Sequence, residues 1–440
     1  MGGSHALVVG FGATGQAVAA ALKKRGHQVT ATDDRESPEL IAAAEGLDLE
    51  LITAPSEAQL SDSVRAADIV APGPGIPEWH PVFAVCDDLR RPVTCEFDLA
   101  AAWDDRPILA VTGTDGKTTV TTLVSEMLAA SGVTTMAAGN TEVPLVTAID
   151  DPLPDLFVVE ASSFRLGHCS DFRPTVGTWL NFAADHLDVH RSIASYERAK
   201  ARLWQNQEGD DVAVANADDP VVMRHARGLD RLVTFGRSAE FRIRGDSLLT
   251  SEGDVLARID QLWSRLPHDV YNVLAASATA LNGGASLCGV RDAIGEFNGL
   301  PHRVQFVGEW NGVRWFDDSK ATAPHASRAA LAGFDSVVLI AGGRNKGLDL
   351  GAMSEGVGNV RAVVGIGESA AEVLAAFEGV ESTVADSMEE AVGAAAEMAR
   401  SGDVVLLSPG CASFDWYRSY AERGGAFAAA VRRLHDGGTP

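Results

Sequence analysis

The 440-residue chain has little cysteine, and that little is scattered: Cys86, Cys95, Cys169, Cys288 and Cys411 are odd in number and form no CxxC pair. This excludes a disulfide framework and a zinc knuckle and predicts reduced, buried thiols. No run of about 20 apolar residues could span a bilayer, and residues 1–10 lack the charged start, long apolar stretch and small-residue cleavage site of a secretory signal. A cytoplasmic protein without membrane insertion is expected. Positive charge is also scarce, with 36 lysines and arginines against 60 aspartates and glutamates and a formal net charge of -24. Nucleic-acid affinity comes mostly from basic side chains that displace counterions, so no nucleic-acid partner is expected. A small anionic ligand needs only a locally positive pocket. Low-complexity tracts and internal repeats are missing too, which argues for a folded globular chain.

What the chain does have is apolar material for several cores. Apolar residues make up 46% and charged residues 22%, and at roughly 150 residues per domain the length predicts three domains. Short β-rich runs ending in glycine or a polar residue alternate with alanine-rich amphipathic stretches, the pattern of parallel α/β layers. Residues 5–9 read as a strand, 15–25 as a helix and 28–32 as the next strand. A second start at 108–111 runs into a glycine loop and then a helix with Val120, Leu123, Val124, Met127 and Leu128 on its apolar face. Further strands are expected at 157–159, 176–180 and 212–215, with an antiparallel excursion at 241–249. A third alternation follows Leu300, with strands at 337–341, 360–366 and 404–407. The expected fold class is α/β in three domains, 1–95, 96–299 and 300–440.

The second strand start carries the most specific chemistry. Thr112-Gly113-Thr114-Asp115-Gly116-Lys117-Thr118-Thr119 sets two glycines, a lysine and hydroxyls between a strand and a helix. Glycines let backbone N–H groups approach phosphate oxygens, the helix N-terminus adds partial positive charge, Lys117 pairs with β/γ-phosphates and Thr118 reaches Mg²⁺. Val111 stands where the common phosphate loop has its first glycine, so the loop predicts nucleoside triphosphate binding without naming a reaction. Gly10-Phe11-Gly12-Ala13-Thr14-Gly15 with Asp33 after the next strand fits either a nicotinamide dinucleotide or a UDP-sugar diphosphate. Glu160, ending a strand after the loop, suits Mg²⁺ or a polarised water. Asn181, Asp185, His186 and Asp188 gather at another strand end, where His186 suits a metal or phosphate contact.

With these residues assembled, the chain resembles the Mur ligases, ATP-dependent enzymes that add amino acids to peptidoglycan precursors, across all three domains. Its GxGxTG, Asp318-Ser319-Lys320-Ala321-Thr322 and Ser408-Pro409-Gly410-Cys411-Ala412-Ser413 are most similar to the D-glutamate-adding members. The resemblance implies an N-terminal Rossmann-like UDP-binding domain, a central P-loop ATPase-like domain and a C-terminal Rossmann-like domain. It implies ATP, UDP-N-acetylmuramoyl-L-alanine and D-glutamate as substrates of a monomer, two Mg²⁺ sites and an acyl-phosphate mechanism. Lys117, Glu160, His186, Lys200 and Lys320 are then catalytic. Thr118, Glu160, His186 and a carbamylated (N-carboxylated) Lys200 are metal ligands. Residues 113–119 (Gly113, Thr114, Asp115, Gly116, Lys117, Thr118, Thr119), Asn272, Arg303 and Asp318 would hold ATP. Ala13, Thr14, Asp33, Arg35, Gly73, Pro74, Gly75, Asn140 and His186 would hold the UDP substrate, and Thr322, Lys346, Ser413, Phe414 and Tyr420 would hold D-glutamate. Asp269, Ala323 and Val189 depart from the family pattern, where asparagine, asparagine and arginine are usual.

Overall fold

The alternation of strands and helices builds three sheets in the computed structural model, which describes residues 4–187 and 189–436; Asp188 lies outside the described residues. The first sheet joins β1 (His5–Val9), β2 (Gln28–Asp33), β3 (Glu50–Thr53) and β4 (Ile69–Pro72) in the order β3-β2-β1-β4, all parallel. The second is built from β5 (Ile108–Thr112), β6 (Thr135–Gly139), β7 (Leu156–Glu160), β8 (Val176–Trp179), β9 (Val212–Asn216), β10 (Leu232–Gly236), β11 (Phe241–Arg244), β12 (Ser247–Leu249) and β13 (Val255–Arg258). Its order is β13-β12-β11-β10-β9-β8-β5-β7-β6, parallel except for the expected antiparallel excursion β11-β12-β13. The third sheet joins β14 (Gln305–Trp310), β15 (Val313–Asp317), β16 (Val337–Gly342), β17 (Val360–Ile366), β18 (Glu381–Ala385) and β19 (Val404–Leu407) in the order β14-β15-β19-β16-β17-β18.

Contacts divide the chain into two compact units, Met1–Leu262 with Tyr271–Phe297, and Trp263–Val270 with Asn298–Pro440. The first unit holds two sheets because one apolar cluster serves both. It runs from Val8, Phe11 and Val18 through Phe97 and Ala100 to Phe157, Phe172 and Trp179. Phe97 and Ala100 lie on the helix Glu96–Trp103 that follows the first sheet. Burying each such aromatic side chain stabilises the unit by about 1.5–3 kcal/mol. In the second unit, two clusters cover the two faces of the third sheet, one around Trp315, Val405 and Phe427 and the other around Leu339, Val363 and Leu406.

Parallel sheets bind ligands beyond the carboxyl ends of their strands, and register decides which residues stand level there. Val111 of β5 pairs with Glu160 of β7, and Thr112 pairs with Trp179 of β8. In the third sheet, Leu407 of β19 pairs with Asp317 of β15 on one side and Ile340 of β16 on the other. The helix Lys117–Ala130 starts at Gly116, whose φ of +84° a side chain would strain. Its buried Val120, Leu123, Val124, Met127 and Leu128 recur at helical spacing and pin it to the sheet.

Candidate active site

The loop after β1 shows why glycine is needed there. Gly10 has a φ of +86°, and a Cβ on Gly15 would fall on the Gly10 carbonyl oxygen. The turn opens a cleft of about 550 Å³ lined by Ala13, Thr14, Asp33, Arg35, Gly73, Pro74 and Gly75 among others. Seven of the residues expected at the UDP substrate thus line one cleft, while Asn140 and His186 are not among its lining residues and follow β6 and β8 of the central sheet. Asp33 already works for the loop: Oδ2 accepts from the Phe11 N–H at 2.8 Å, and Oδ1 accepts from the Arg35 N–H and Nε at 3.0 and 3.3 Å.

A residue that sequence reasoning missed joins this cleft to the central sheet. Arg165 is buried, pairs with the equally buried Glu96, and donates from Nη2 to Thr14 Oγ1 at 3.0 Å. Burial lowers its pKa to about 10, so it stays a cation at neutral pH. Next to it, His190 shares hydrogen bonds with Glu78 Oε1 at 2.7 Å and Ser163 Oγ at 2.9 Å. Glu78 therefore holds the segment after β8 against the rim of the cleft.

The phosphate loop is clamped from behind by Asn181. Its Oδ1 accepts from the N–H groups of Thr114 and Asp115, both at 2.9 Å, and its Nδ2 donates to the Asp115 carbonyl at 3.2 Å. Thr112 Oγ1 donates to the Ala161 carbonyl at 2.6 Å, tying the loop to the residue after Glu160. Lys117 Nζ donates to the Gly113 and Thr114 carbonyls at 2.9 and 2.8 Å. Lys200 Nζ reaches the same Gly113 carbonyl at 2.6 Å from the helix Ile193–Ala201. Lys200 is wholly buried, and burial, then the charge of Lys117, pushes its pKa well below the ordinary lysine range. Asn272 lies against Gly116, close enough that a Cβ there would stand 2.5 Å from its Oδ1.

Glu160 supplies the unmet demand of the site. Oε1 accepts from Asn140 Nδ2 at 2.9 Å, whereas Oε2 is buried with no hydrogen-bond partner among the described residues. Ser162 Oγ, two residues on, is also buried with no hydrogen-bond partner among the described residues. Buried polar atoms are normally satisfied, so a carboxylate oxygen and a hydroxyl left over at a strand end mark where a ligand or cation belongs. His186 has a left-handed backbone, φ +57°, and its ring lies edge-on to Phe164 at 4.6 Å. Thr118 is half-buried at the first turn of the phosphate-loop helix, and Thr119 behind it is buried.

The second unit gathers the remaining candidates on three loops after β15, β16 and β19. Gly410 N–H donates to the Ala321 carbonyl at 2.9 Å, and Arg344 and Ala412 exchange backbone hydrogen bonds at 2.9 and 3.0 Å. The loops of Lys320 and Thr322, of Lys346, and of Ser413 and Phe414 are thereby stitched together. Lys320 Nζ sits over the Tyr420 ring at 3.9 Å, and Lys346 and Phe414 are exposed. Asp318 is buried, accepting from Ser408 Oγ at 2.7 Å and the Val304 N–H at 3.3 Å; burial raises its pKa to about 8. Arg303 lies between two residues in the left-handed region, His302 and Val304, at φ +61° and +46°. For a β-branched residue such as Val304 this is a strained conformation.

Comparison with known proteins agrees with this arrangement. Residues 111–280 match the Mur ligase middle domain and residues 302–411 the Mur ligase glutamate ligase domain. The chain is 40% identical to the UDP-N-acetylmuramoylalanine–D-glutamate ligase of Desulfosudis oleivorans, covering 98% of this chain and 96% of the relative. It is 38% identical to the enzyme of the same name from Pelotomaculum thermopropionicum, covering 98% of each. Among solved structures, the pseudomurein peptide ligase type C of Methanothermus fervidus shares the fold with a TM-score of 0.61 at 17% identity, covering 98% of this chain and 100% of that one. MurF of Acinetobacter baumannii does so with a TM-score of 0.61 at 17% identity, covering 97% and 90%. Similarity this extensive to curated relatives establishes that the chain belongs to the Mur ligase family.

Proposed function

We infer that this chain is an ATP-dependent ligase joining D-glutamate to UDP-N-acetylmuramoyl-L-alanine in peptidoglycan precursor synthesis. The products are UDP-N-acetylmuramoyl-L-alanyl-D-glutamate, ADP and phosphate. The observation that carries the reading is the 40% identity with a D-glutamate ligase along 98% of the chain. The terminal alanine carboxylate attacks the γ-phosphorus of ATP, a P–O bond to ADP breaks, and an acyl phosphate results. The amine of D-glutamate then attacks the acyl carbon, loses a proton and expels phosphate. A carboxylate is a poor acyl donor until phosphorylation turns its oxygen into a leaving group, and this is why ATP is consumed.

The residues divide the work accordingly. The cleft at Thr14 and Gly73 binds the UDP moiety, with the Arg165 cation behind Thr14. Backbone N–H groups of the phosphate loop and Lys117 take the triphosphate, and Asn272 beside Gly116 takes the adenine side. Lys320, Thr322, Lys346 and Ser413 offer two cations and two hydroxyls, the chemistry that two carboxylates require. The unpartnered Glu160 Oε2 fits a divalent cation, and Thr118, His186 and Glu160 are the residues that would hold it. Mg²⁺ bound there supplies charge neutralisation between the attacking carboxylate and the γ-phosphate. Lys200, wholly buried with its pKa pushed well below the ordinary lysine range, would as a carbamate offer an anionic oxygen ligand to a second Mg²⁺.

No described helix is long and apolar enough to cross a membrane, and ATP and UDP-sugars are cytoplasmic metabolites, which supports that compartment. The test is phosphate release and product mass with purified protein. Turnover should require ATP, UDP-N-acetylmuramoyl-L-alanine and D-glutamate together, and turnover with another amino acid in preference to D-glutamate would overturn the reading.

A further inference from the structure

Arg423 is the largest charged side chain buried in the second unit, at 1% exposure on the helix Tyr420–Asp436. Its guanidinium touches all three loops that carry the candidate amino-acid ligands. Nε donates to Ser319 Oγ at 2.9 Å, Nη2 donates to the carbonyls of Ser319 and Cys411 at 2.9 and 3.1 Å, and Nη1 reaches the Gly342 carbonyl at 3.5 Å. Ser319 precedes Lys320, Gly342 opens the loop to Lys346, and Cys411 stands two residues before Ser413. The hydroxyl of Ser319 also donates to the Tyr420 carbonyl at 2.8 Å, closing the connection to the helix that carries Arg423.

The partners of this guanidinium are neutral oxygens. Asp415 and Asp317 attract it from a distance, but burial prevails and lowers its pKa to about 10, so it remains a cation at neutral pH. Burying a cation without a carboxylate on it is costly, and neutral hydrogen bonds offset only part of that cost. Gly343 lies against both a neighbouring loop and the guanidinium: a Cβ there would stand 2.3 Å from the Ala412 carbonyl oxygen and 3.1 Å from Arg423 Nη1. A planar fork with donors pointing to three loops fixes their spacing in a way an ammonium cannot.

We propose that Arg423 is a positioning residue of the amino-acid site, holding the loops of Lys320, Lys346 and Ser413 in register and lending a positive charge, with no carboxylate hydrogen-bonded to it among the described residues, that favours a dicarboxylate amino acid. The inference rests on the D-glutamate ligase reading. Arg423→Lys keeps the charge and loses the fork, and Arg423→Gln loses both the charge and most of the contacts. The Michaelis constant for D-glutamate should rise about tenfold in the first and about a hundredfold in the second, one and two steps of roughly 1.4 kcal/mol. Those for ATP and UDP-N-acetylmuramoyl-L-alanine should stay within about twofold. Hydroxylamine trapping of the acyl phosphate without D-glutamate should persist in both variants, falling by no more than about threefold as the Lys320 loop loosens, since that step precedes the amine.

If the wild-type chain traps no hydroxamate and uses no D-glutamate, the parent reading fails rather than this one. If the wild type works and both variants keep its D-glutamate constant, or lose ATP affinity in parallel, Arg423 is not a positioning residue of this site. Should either variant fail to fold, Ser319→Ala decides the matter: it removes the oxygen that accepts from Arg423 Nε and donates to the Tyr420 carbonyl, and leaves the guanidinium its carbonyl partners. A two- to fivefold rise confined to D-glutamate supports the proposal, and no change overturns it.

Discussion

Replacing Asn181 by alanine removes the clamp behind the phosphate loop, and its cost follows from three hydrogen bonds. The Asp115 N–H loses its acceptor at 2.9 Å and the Asp115 carbonyl its donor at 3.2 Å. The Thr114 N–H loses Oδ1 at 2.9 Å but keeps a second acceptor, the Asn181 main-chain carbonyl at 3.1 Å, so its loss is partial. At about 1 kcal/mol net per hydrogen bond the sum is roughly 2–3 kcal/mol. The loop presents phosphate-binding N–H groups only when ordered, so ATP affinity should fall by roughly 30- to 150-fold. Titration calorimetry with ATP measures the affinity, and the urea midpoint measures the stability. Asn181→Asp is the comparison: it retains both accepted bonds but loses the Nδ2 donor and sets a carboxylate oxygen against the Asp115 carbonyl, so its urea stability should fall by about 1 kcal/mol, less than in Asn181→Ala, while a carboxylate behind the triphosphate weakens ATP binding. An Asn181→Ala protein that binds ATP within about threefold of wild type would refute the clamp.

Four further outcomes follow from named contacts. Lys200→Ala should lose most turnover and regain part of it with added short carboxylates that substitute for the carbamate; full activity without them would remove Lys200 from the mechanism. Gly15→Ala should abolish binding at the UDP cleft while sparing ATP binding, because its Cβ meets the Gly10 carbonyl, a backbone atom that cannot swing away; equilibrium binding of UDP checks it. Ala323 begins the helix Pro324–Leu331 without a side-chain cap, so Ala323→Asn should raise stability by about 1 kcal/mol in urea unfolding, and a neutral or negative change would contradict that. Asp318 is held protonated by burial, with its pKa raised to about 8, so the folded chain keeps a proton that the unfolded chain releases near pH 4. The stability this contributes is full below about pH 4 and is lost as pH rises through about 8. The stability of wild type relative to Asp318→Asn should therefore decline across that window, and a flat difference would show that Asp318 titrates normally.

Much of the fold was legible because glycine and apolar period mark it directly. The strands at His5–Val9, Ile108–Thr112, Val337–Gly342 and Val404–Leu407 are buried runs of β-favouring residues, and each was expected within a residue or two. Strands such as Glu50–Thr53, Glu381–Ala385 and Gln305–Trp310 were not seen. Each lies at a sheet edge or carries exposed polar residues, so neither continuous apolarity nor strict alternation betrays it. The phosphate loop and the cleft residues were legible for the same reason as the buried strands: their chemistry is local in sequence. Arg165 and Arg423 were not legible, because their partners are remote. Arg165 meets Thr14 across 151 residues and Arg423 meets Ser319 across 104. An arginine in a helix reads as a solvated one until a fold buries it. Asn181 was visible in its cluster of polar residues, but its role as a clamp depends on the register that brings the end of β8 level with the loop. Ser162 could have been found from its place two residues after Glu160 at the end of a strand.

The central claim is that phosphate activates a carboxylate, and oxygen isotope transfer tests it most directly. UDP-N-acetylmuramoyl-L-alanine labelled with ¹⁸O in its alanine carboxylate should, on turnover with ATP and D-glutamate, deliver one labelled oxygen to the phosphate released. Phosphate without the label, formed at the same rate as the amide, would contradict the account.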